Sequence, residues 1–339
     1  MRLAAVCALL AAVCATGCAR GPDPAVVTIY SADGLKDGTP NWFDTEFDAF
    51  TRQTGIKVQY VEAGSGVIVN RVLAERSNPQ ADVLLTLPPF MQKAATAGVL
   101  QPAGLRVAAG EQADGAAPWY VLANDYTCWI YNTKVLPQPP ASFDGLLAPR
   151  FKNRIQYSTP GQAGDGTAVM LQAFKLYGGK KGGFGYLHRL QSNNLGPSSS
   201  TGRLAALVNK GELWLANGDL QMSYVQMRQN PNIGIFFPAG PDGTRQAMSL
   251  PYEIALVKGG PHSAAGLKLI AFLLDKPAQQ RLIDLAEIFP ARTDLSVDGA
   301  AARALTRMLR GVVPWSPDWN QVAHDLEADV GVWHQVTGS

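Results

Sequence analysis

The chain has 339 residues, a formal charge of +2 and 47% apolar residues. That balance excludes the strong basic excess of a nucleic-acid binder and supplies enough apolar material for a core of its own. Three of the four cysteines fall at positions 7, 14 and 18, so Cys128 stands alone in the body and neither a disulfide framework nor a cysteine zinc cluster holds the fold.

Arg2 precedes an apolar run from Leu3 to Cys14, which Ala15-Thr16-Gly17-Cys18 closes with small residues. The run is too short to span ~30 Å of hydrocarbon and has the form of a signal peptide. Residues 1–17 are therefore expected to be removed, and residues 18–25 to form a short tether. The Ala-Thr-Gly-Cys end resembles a bacterial lipobox, which implies acylation of Cys18 as the first mature residue. Ordinary cleavage near Ala15 or Gly17, without lipid, is the competing reading. The expected location is periplasmic or cell-surface, with the membrane reached through the lipid on Cys18 alone.

From Val26 strands and helices alternate. Val26 to Tyr30 reads as a buried strand, and Phe43 to Gln53 as a helix with Phe43, Phe47 and Phe50 on one face, ended by Gly55. A strand from Ile56 to Val61, a helix from Val67 to Arg76, a strand from Asp82 to Leu87 and a helix from Phe90 to Ala97 follow. This order predicts an α/β fold with a mostly parallel sheet covered by helices, which takes ligands at the carboxyl ends of its strands. Asn124 to Asn132 is a β-rich stretch expected to cross into a second lobe. That lobe is expected to hold strand 155–157, helices 167–177, 184–191 and 201–210, and strands 220–224 and 233–237. Met248 to Lys258 reads as the return crossover, followed by helices 263–274 and 277–287. The expected division is 26–124 with 253–339, C-terminal helices included, for lobe one, and 125–252 for lobe two.

Tyr30-Ser-Ala-Asp-Gly34 after the first strand, Gly211-Glu-Leu-Trp-Leu-Ala-Asn-Gly-Asp219, and Lys258-Gly-Gly-Pro-His262 leading into Ile270-Ala-Phe-Leu-Leu-Asp275 carry a likeness. The chain resembles the periplasmic solute-binding proteins of the ferric, thiamine and phosphonate group over nearly all of its mature length. Val61-Glu-Ala-Gly-Ser-Gly66, Asn78-Pro-Gln-Ala-Asp-Val83 and Leu87-Pro-Pro-Phe90 make it most similar to the 2-aminoethylphosphonate-binding members. The resemblance implies a two-lobed type II binding protein with two crossover hinge strands. It also implies the extracytoplasmic component of an ABC importer, working with a permease and a separate ATPase as a monomer without cofactor. Ferric-iron, thiamine or polyamine binding on the same fold are the alternatives. The resemblance also implies a tyrosine pair in iron binders. Met222-Ser-Tyr-Val-Gln226 offers one tyrosine, which speaks against iron.

Two helix starts suit an oxyanion: Gly64-Ser65-Gly66, and Ser198-Ser-Ser200-Thr201-Gly-Arg203. A third, Gly164-Asp-Gly-Thr167, is suggestive. Free N–H groups and a partial positive charge of about half a unit draw an anion to such a start. Ser31, Ser65, Gly66, Thr167, Ser200, Thr201 and Arg203 are therefore candidates for the phosphonate end. The competing readings make Ser65, Ser200, Thr201 and Asp165 helix caps and Arg203 a surface arginine. For the ammonium, Asp33, Tyr252 and Glu253 are candidates, with Tyr224 and Tyr126 behind them, since carboxylates and aromatic faces attract a cation. Asp33 as a turn residue, Glu253 as a hinge residue and the tyrosines as lobe-interface core are the alternatives. The histidines at 188, 262, 324 and 334 lack metal-ligand spacing. No hydrolase elbow, His-Glu-x-x-His or P-loop occurs, and Gly178-Gly-Lys-Lys-Gly-Gly183 reads as a surface turn.

Overall fold

The computed structural model describes residues 25–106 and 117–339. The signal segment, Cys18 and the tether up to residue 24 lie outside the described residues. Lobe one opens with β1 (Val26–Ala32), α1 (Trp42–Thr54), β2 (Lys57–Ala63), α2 (Ser65–Ala74), β3 (Val83–Thr86), α3 (Phe90–Thr96), β4 (Leu100–Gln101) and β5 (Trp119–Asn124). The chain then enters lobe two with β6 (Thr127–Asn132), β7 (Ile155–Gln156), α4 (Gly164–Leu176), α5 (Lys180–Gln191) and α6 (Gly202–Lys210). β8 (Leu215–Asp219), α7 (Leu220–Gln229), β9 (Ile233–Phe236) and β10 (Gln246–Met248) complete it. The return runs through β11 (Tyr252–Val257), α8 (Ser263–Leu273), α9 (Lys276–Leu285), β12 (Phe289–Pro290), α10 (Ala300–Met308), β13 (Val313–Trp315) and α11 (Trp319–Thr337).

α1 shows how the local signals work. Asn41 caps it by accepting from the Asp44 N–H at 2.8 Å, and Gly55 ends it in the left-handed region at φ 73°. Its buried face, Trp42, Phe43, Phe47 and Phe50, joins Leu269, Ile270 and Leu273 of α8 under the first sheet.

The first sheet has seven strands in the order β12-β5-β11-β3-β1-β2, with β4 also paired to β11. β2, β1 and β3 are parallel, whereas β11 runs antiparallel to β3, β4 and β5, and β12 antiparallel to β5. The expectation of a mostly parallel sheet therefore holds only for the β2-β1-β3 portion. The reason is topological: β5 leaves toward lobe two and β11 returns from it, so the two crossover strands must run in opposite directions. The second sheet, β7-β8-β6-β9, is parallel only at β7–β8.

Three further expectations are corrected. Residues 220–224 are the first half of helix α7 and not a strand; the strand is Leu215–Asp219, and Asp219 caps the helix by accepting from the Met222 N–H at 2.7 Å. The glycine-rich 178–183 stretch is a turn only at Gly178 and Gly179, both at positive φ, and Lys180 already begins α5. The last helix, α11, does not lie wholly with lobe one. Trp333 is buried and donates to the Tyr157 hydroxyl at 3.2 Å, and Lys180 pairs with Asp325 and Asp329, both at 2.8 Å. α11 thus packs on α5 of lobe two while also touching α3 of lobe one.

Candidate functional site

The carboxyl ends of β1, β2 and β3 and the amino end of β11 point toward lobe two. The loops beyond them meet the starts of α4 and α6, so the three glycine-, serine- and threonine-rich helix starts converge between the lobes. Contact there is close. A Cβ on Gly66 would stand 2.1 Å from the Gly161 carbonyl oxygen, and one on Gly64 would stand 2.4 Å from that of Ser199. These glycines therefore admit the opposite lobe's backbone, and the Gly66 N–H donates to the Gln162 carbonyl at 2.9 Å. α2 begins at Ser65, two residues earlier than its periodicity suggests, which places Ser65 and Gly66 inside its first turn.

Asp33 is the hub on the lobe-one side. Its Oδ2 accepts from the Ser200 hydroxyl at 2.6 Å, the Gly202 N–H also reaches it, and its carbonyl accepts from the Tyr252 hydroxyl at 2.7 Å. Burial pushes the Asp33 carboxyl above the usual range, and the Ser200 and Gly202 donors work against that. Gly34 must be glycine here, since φ is +117° and a Cβ would lie 2.3 Å from the Tyr252 hydroxyl.

On the lobe-two side a row of polar side chains leads to Asp165. Asn217 Nδ2 donates to Ser158 Oγ at 3.1 Å, Ser158 lies 2.9 Å from Thr201 Oγ1, and Thr201 donates to Asp165. Thr201 therefore makes no side-chain cap of α6. Ser65 and Asp165 are buried, and Ser65 Oγ, Asp165 Oδ1 and Gln221 Oε1 have no partner among the described residues. Buried polar atoms are nearly always satisfied, so such a group marks a place for something else.

Four carboxyls, Asp33, Asp125, Asp165 and Asp219, gather behind this contact. Burial, joined by their mutual repulsion, pushes Asp165 and Asp219 well above the usual range. Burial likewise pushes Asp125 up, with Asp165 adding to the shift, and the Oδ2 atoms of Asp125 and Asp219 have no hydrogen-bond partner among the described residues. Asp125 Oδ1 also accepts the Tyr126 N–H at 2.7 Å and the Gln221 N–H at 3.2 Å, which places it at the β5–β6 crossover. At the mouth, a cavity of about 370 Å³ is lined by Asp33, Asp37 and Glu62 from lobe one and by Ser200, Arg203 and Met222 from lobe two. Burial, with Glu62 and Asp33 nearby, raises Asp37 to about 7.

The remaining expected residues are placed elsewhere or already bonded. The Ser31 hydroxyl donates to the Ala32 carbonyl at 2.7 Å. Thr167 Oγ1 accepts from the Gly161 N–H and donates to the Ala163 carbonyl, both at 3.0 Å, so the hydroxyl serves its own loop. Glu253 projects to the face of the sheet opposite Tyr252, where Gln92 donates to it at 3.2 Å and burial raises it to about 8. Tyr224 sits in a core cluster with Cys128, Leu220 and Phe237, and Tyr126 packs beside that cluster. Asp125, Asp219, Ser158, Asn217 and Gln221 escaped the sequence reading. The available signal was an acid directly after an apolar strand, at Ala123-Asn-Asp125 and Ala216-Asn-Gly-Asp219.

Residues 36–280 match the family of bacterial extracellular solute-binding proteins. The chain belongs to that family. It is 53% identical over 315 residues to a Salmonella paratyphi A protein named as a candidate 2-aminoethylphosphonate-binding periplasmic protein, covering 93% of each chain. A counterpart of the same name in Salmonella typhimurium is 52% identical over 314 residues, again covering 93% of each. Among solved structures, the periplasmic binding protein AfuA of Actinobacillus pleuropneumoniae, with fructose-6-phosphate bound, superposes with a TM-score of 0.76. The match covers 93% of this chain and 99% of that one at 18% identity, and that likeness speaks for the fold alone. The architecture is the two-lobed α/β fold of periplasmic binding proteins.

Proposed function

We propose that this solute-binding protein captures 2-aminoethylphosphonate between its lobes and presents it to an ABC permease driven by a separate ATPase. The observation that carries the reading is the bipolar contact between the lobes. Helix starts with serine and threonine hydroxyls face a group of carboxyls set among like charges and buried. An ion of one sign would be repelled by one half of such a site, whereas a zwitterion is held by both. The names of the Salmonella relatives support the same ligand.

In this account Ser65, Ser200 and the α2 and α6 starts hold the phosphonate, with Arg203 at the mouth. Asp33 and its neighbours hold the ammonium, and Tyr252 fixes Asp33. Ser31, Gly66 and Thr167 shape the loops around them. Lobe one spans 26–124 and 253–318, lobe two 125–252, and α11 straps the two. The hinge lies at Asn124–Tyr126 and Leu250–Glu253, where the Leu250 N–H donates to the Asp125 carbonyl at 2.8 Å. Closure follows ligand because only the closed arrangement contacts it from both sides. Cys18 carries the lipid that keeps the monomer at the membrane.

A thermal-shift titration of the mature domain with 2-aminoethylphosphonate, ethylphosphonate, phosphate, thiamine, putrescine and ferric citrate tests the ligand. At a hundred times the dissociation constant a true ligand adds about 2.7 kcal/mol of stability. A shift with 2-aminoethylphosphonate and none with the others is the expected result. A shift with another compound alone discards the phosphonate and keeps the binding fold.

A further inference from the structure

The first turn of α4 holds two opposed features. α4 is a 13-residue helix whose N-cap, Ala163, makes no side-chain cap bond. Such a start favours an anion. Yet Asp165 stands in that first turn, 3% exposed. Its charged neighbours are Asp219 and Asp33, so the like charges oppose its ionisation as burial does.

The surroundings nonetheless prepare it to be ionised. The Asn217 amide is held in one orientation, since its Oδ1 accepts from the Ser158 N–H at 2.9 Å while its Nδ2 donates onward to Ser158 Oγ at 3.1 Å. Ser158 meets Thr201, and Thr201 donates to the Asp165 carboxyl, which also receives its own backbone N–H. The Ser158 hydroxyl is thus within hydrogen-bond reach of both Asn217 and Thr201, at 3.1 and 2.9 Å, and a Ser158-to-Thr201 donation leaves the Thr201 hydrogen for the carboxylate. Asp165 Oδ1 is left with no partner among the described residues.

A second unpartnered group stands beside the same helix start, from the other lobe. Ser65 Oγ, on a residue 1% exposed, has no partner either, and it lies 3.2 Å from where a Cβ on Gly164 would stand. Two unsatisfied buried oxygens, one from each lobe, therefore border the start of α4: the Ser65 hydroxyl, which can donate to a phosphonate, and Asp165 Oδ1, which can only accept when ionised. A primary ammonium brings three N–H donors and a positive charge, which suits an oriented carboxylate set among other carboxyls.

We propose that Asp165 receives the ammonium of the ligand and is the residue that selects amine-bearing phosphonates over their amine-free analogues. This rests on the zwitterion reading above. It assigns the α4 start to the cation, leaving α2 and α6 for the phosphonate, and it makes the carboxylate of Asp165 more than a helix-start residue.

Calorimetric titration of the wild type, Asp165→Asn and Thr201→Val with 2-aminoethylphosphonate and ethylphosphonate tests it. Asparagine keeps the shape and an acceptor for Thr201 but removes the charge. Asp165→Asn should weaken 2-aminoethylphosphonate by roughly 100-fold or more and leave ethylphosphonate unchanged or tighter. Thr201→Val, which disorients the carboxylate without removing it, should lower the same preference by about tenfold. Equal weakening of both ligands, or a preference within threefold of wild type in both variants, overturns the assignment. If wild type ignores 2-aminoethylphosphonate, the ligand reading fails by itself. The preference is then read with ethanolamine phosphate against ethyl phosphate, and a wild type that binds no amine overturns this inference too.

Discussion

Glu253 keeps its carboxyl on the α3 face of the first sheet, on the side opposite Tyr252, and burial raises it to about 8 with Gln92 donating against the shift. Between pH ~4.5 and ~8 the folded protein holds a proton that the unfolded chain has released, so this residue makes stability fall as pH rises through that window. Glu253→Gln should flatten the fall, matching wild type at pH 5 and exceeding it by a few kcal/mol (order of magnitude) at pH 8. Denaturant midpoints at the two pH values check this; the same pH slope in both proteins would contradict it. Gly66 gives a second residue-scale test. Alanine suits a helix interior better by about 1 kcal/mol, but its Cβ would stand 2.1 Å from the Gly161 carbonyl of the opposite lobe. The Cβ would also stand 2.8 Å from Phe90 Cε1 within lobe one, so Gly66→Ala should cost the free protein about 1–3 kcal/mol, and ligand should no longer compact it in small-angle scattering. Unimpaired compaction would show that the close approach is dispensable.

At the scale of elements, the signals that worked in the sequence were local ones. Phe43, Phe47 and Phe50 repeat at helical spacing, and Gly55 closes α1 as expected. The alternation through β3 and the two crossovers were legible for the same reason. Residues 220–224 were not, because Leu220, Met222 and Tyr224 alternate as a strand would, and the deciding cap by Asp219 is a single side-chain bond. Nor was the position of α11, whose anchors join residues far apart in sequence: Trp333 to Tyr157, and Asp325 and Asp329 to Lys180. Trp333 holds that helix by burial, and removing a buried tryptophan costs about 3–5 kcal/mol. Trp333→Ala should lose that much in denaturant unfolding, whereas Lys180→Ala, a half-exposed partner, should lose about 1 kcal/mol or less. Equal small losses would mean that α11 is an appendage and not a strap.

At the scale of the whole molecule, two lobes are joined by antiparallel crossovers and touch through a small set of polar links. Ser200 reaches Asp33 at 2.6 Å, Gln221 donates to the Gly34 and Ala286 carbonyls at 3.3 and 2.7 Å, and Arg228 pairs with Glu287. The sequence placed the oxyanion-friendly helix starts and Asp33 in one site because strand ends and helix starts meet in such a fold. It left Asp125, Asp165 and Asp219 unassembled, because a carboxyl's partners across a lobe contact leave no local trace. What those acids imply is the central claim: the site demands both ends of a zwitterion. Calorimetry of the wild-type mature domain at pH 7.5 with 2-aminoethylphosphonate and, separately, ethylphosphonate tests it most directly. The account predicts binding of the first with the second at least about 100-fold weaker, a difference of roughly 2.7 kcal/mol. Equal affinities, or tighter binding of ethylphosphonate, would contradict it.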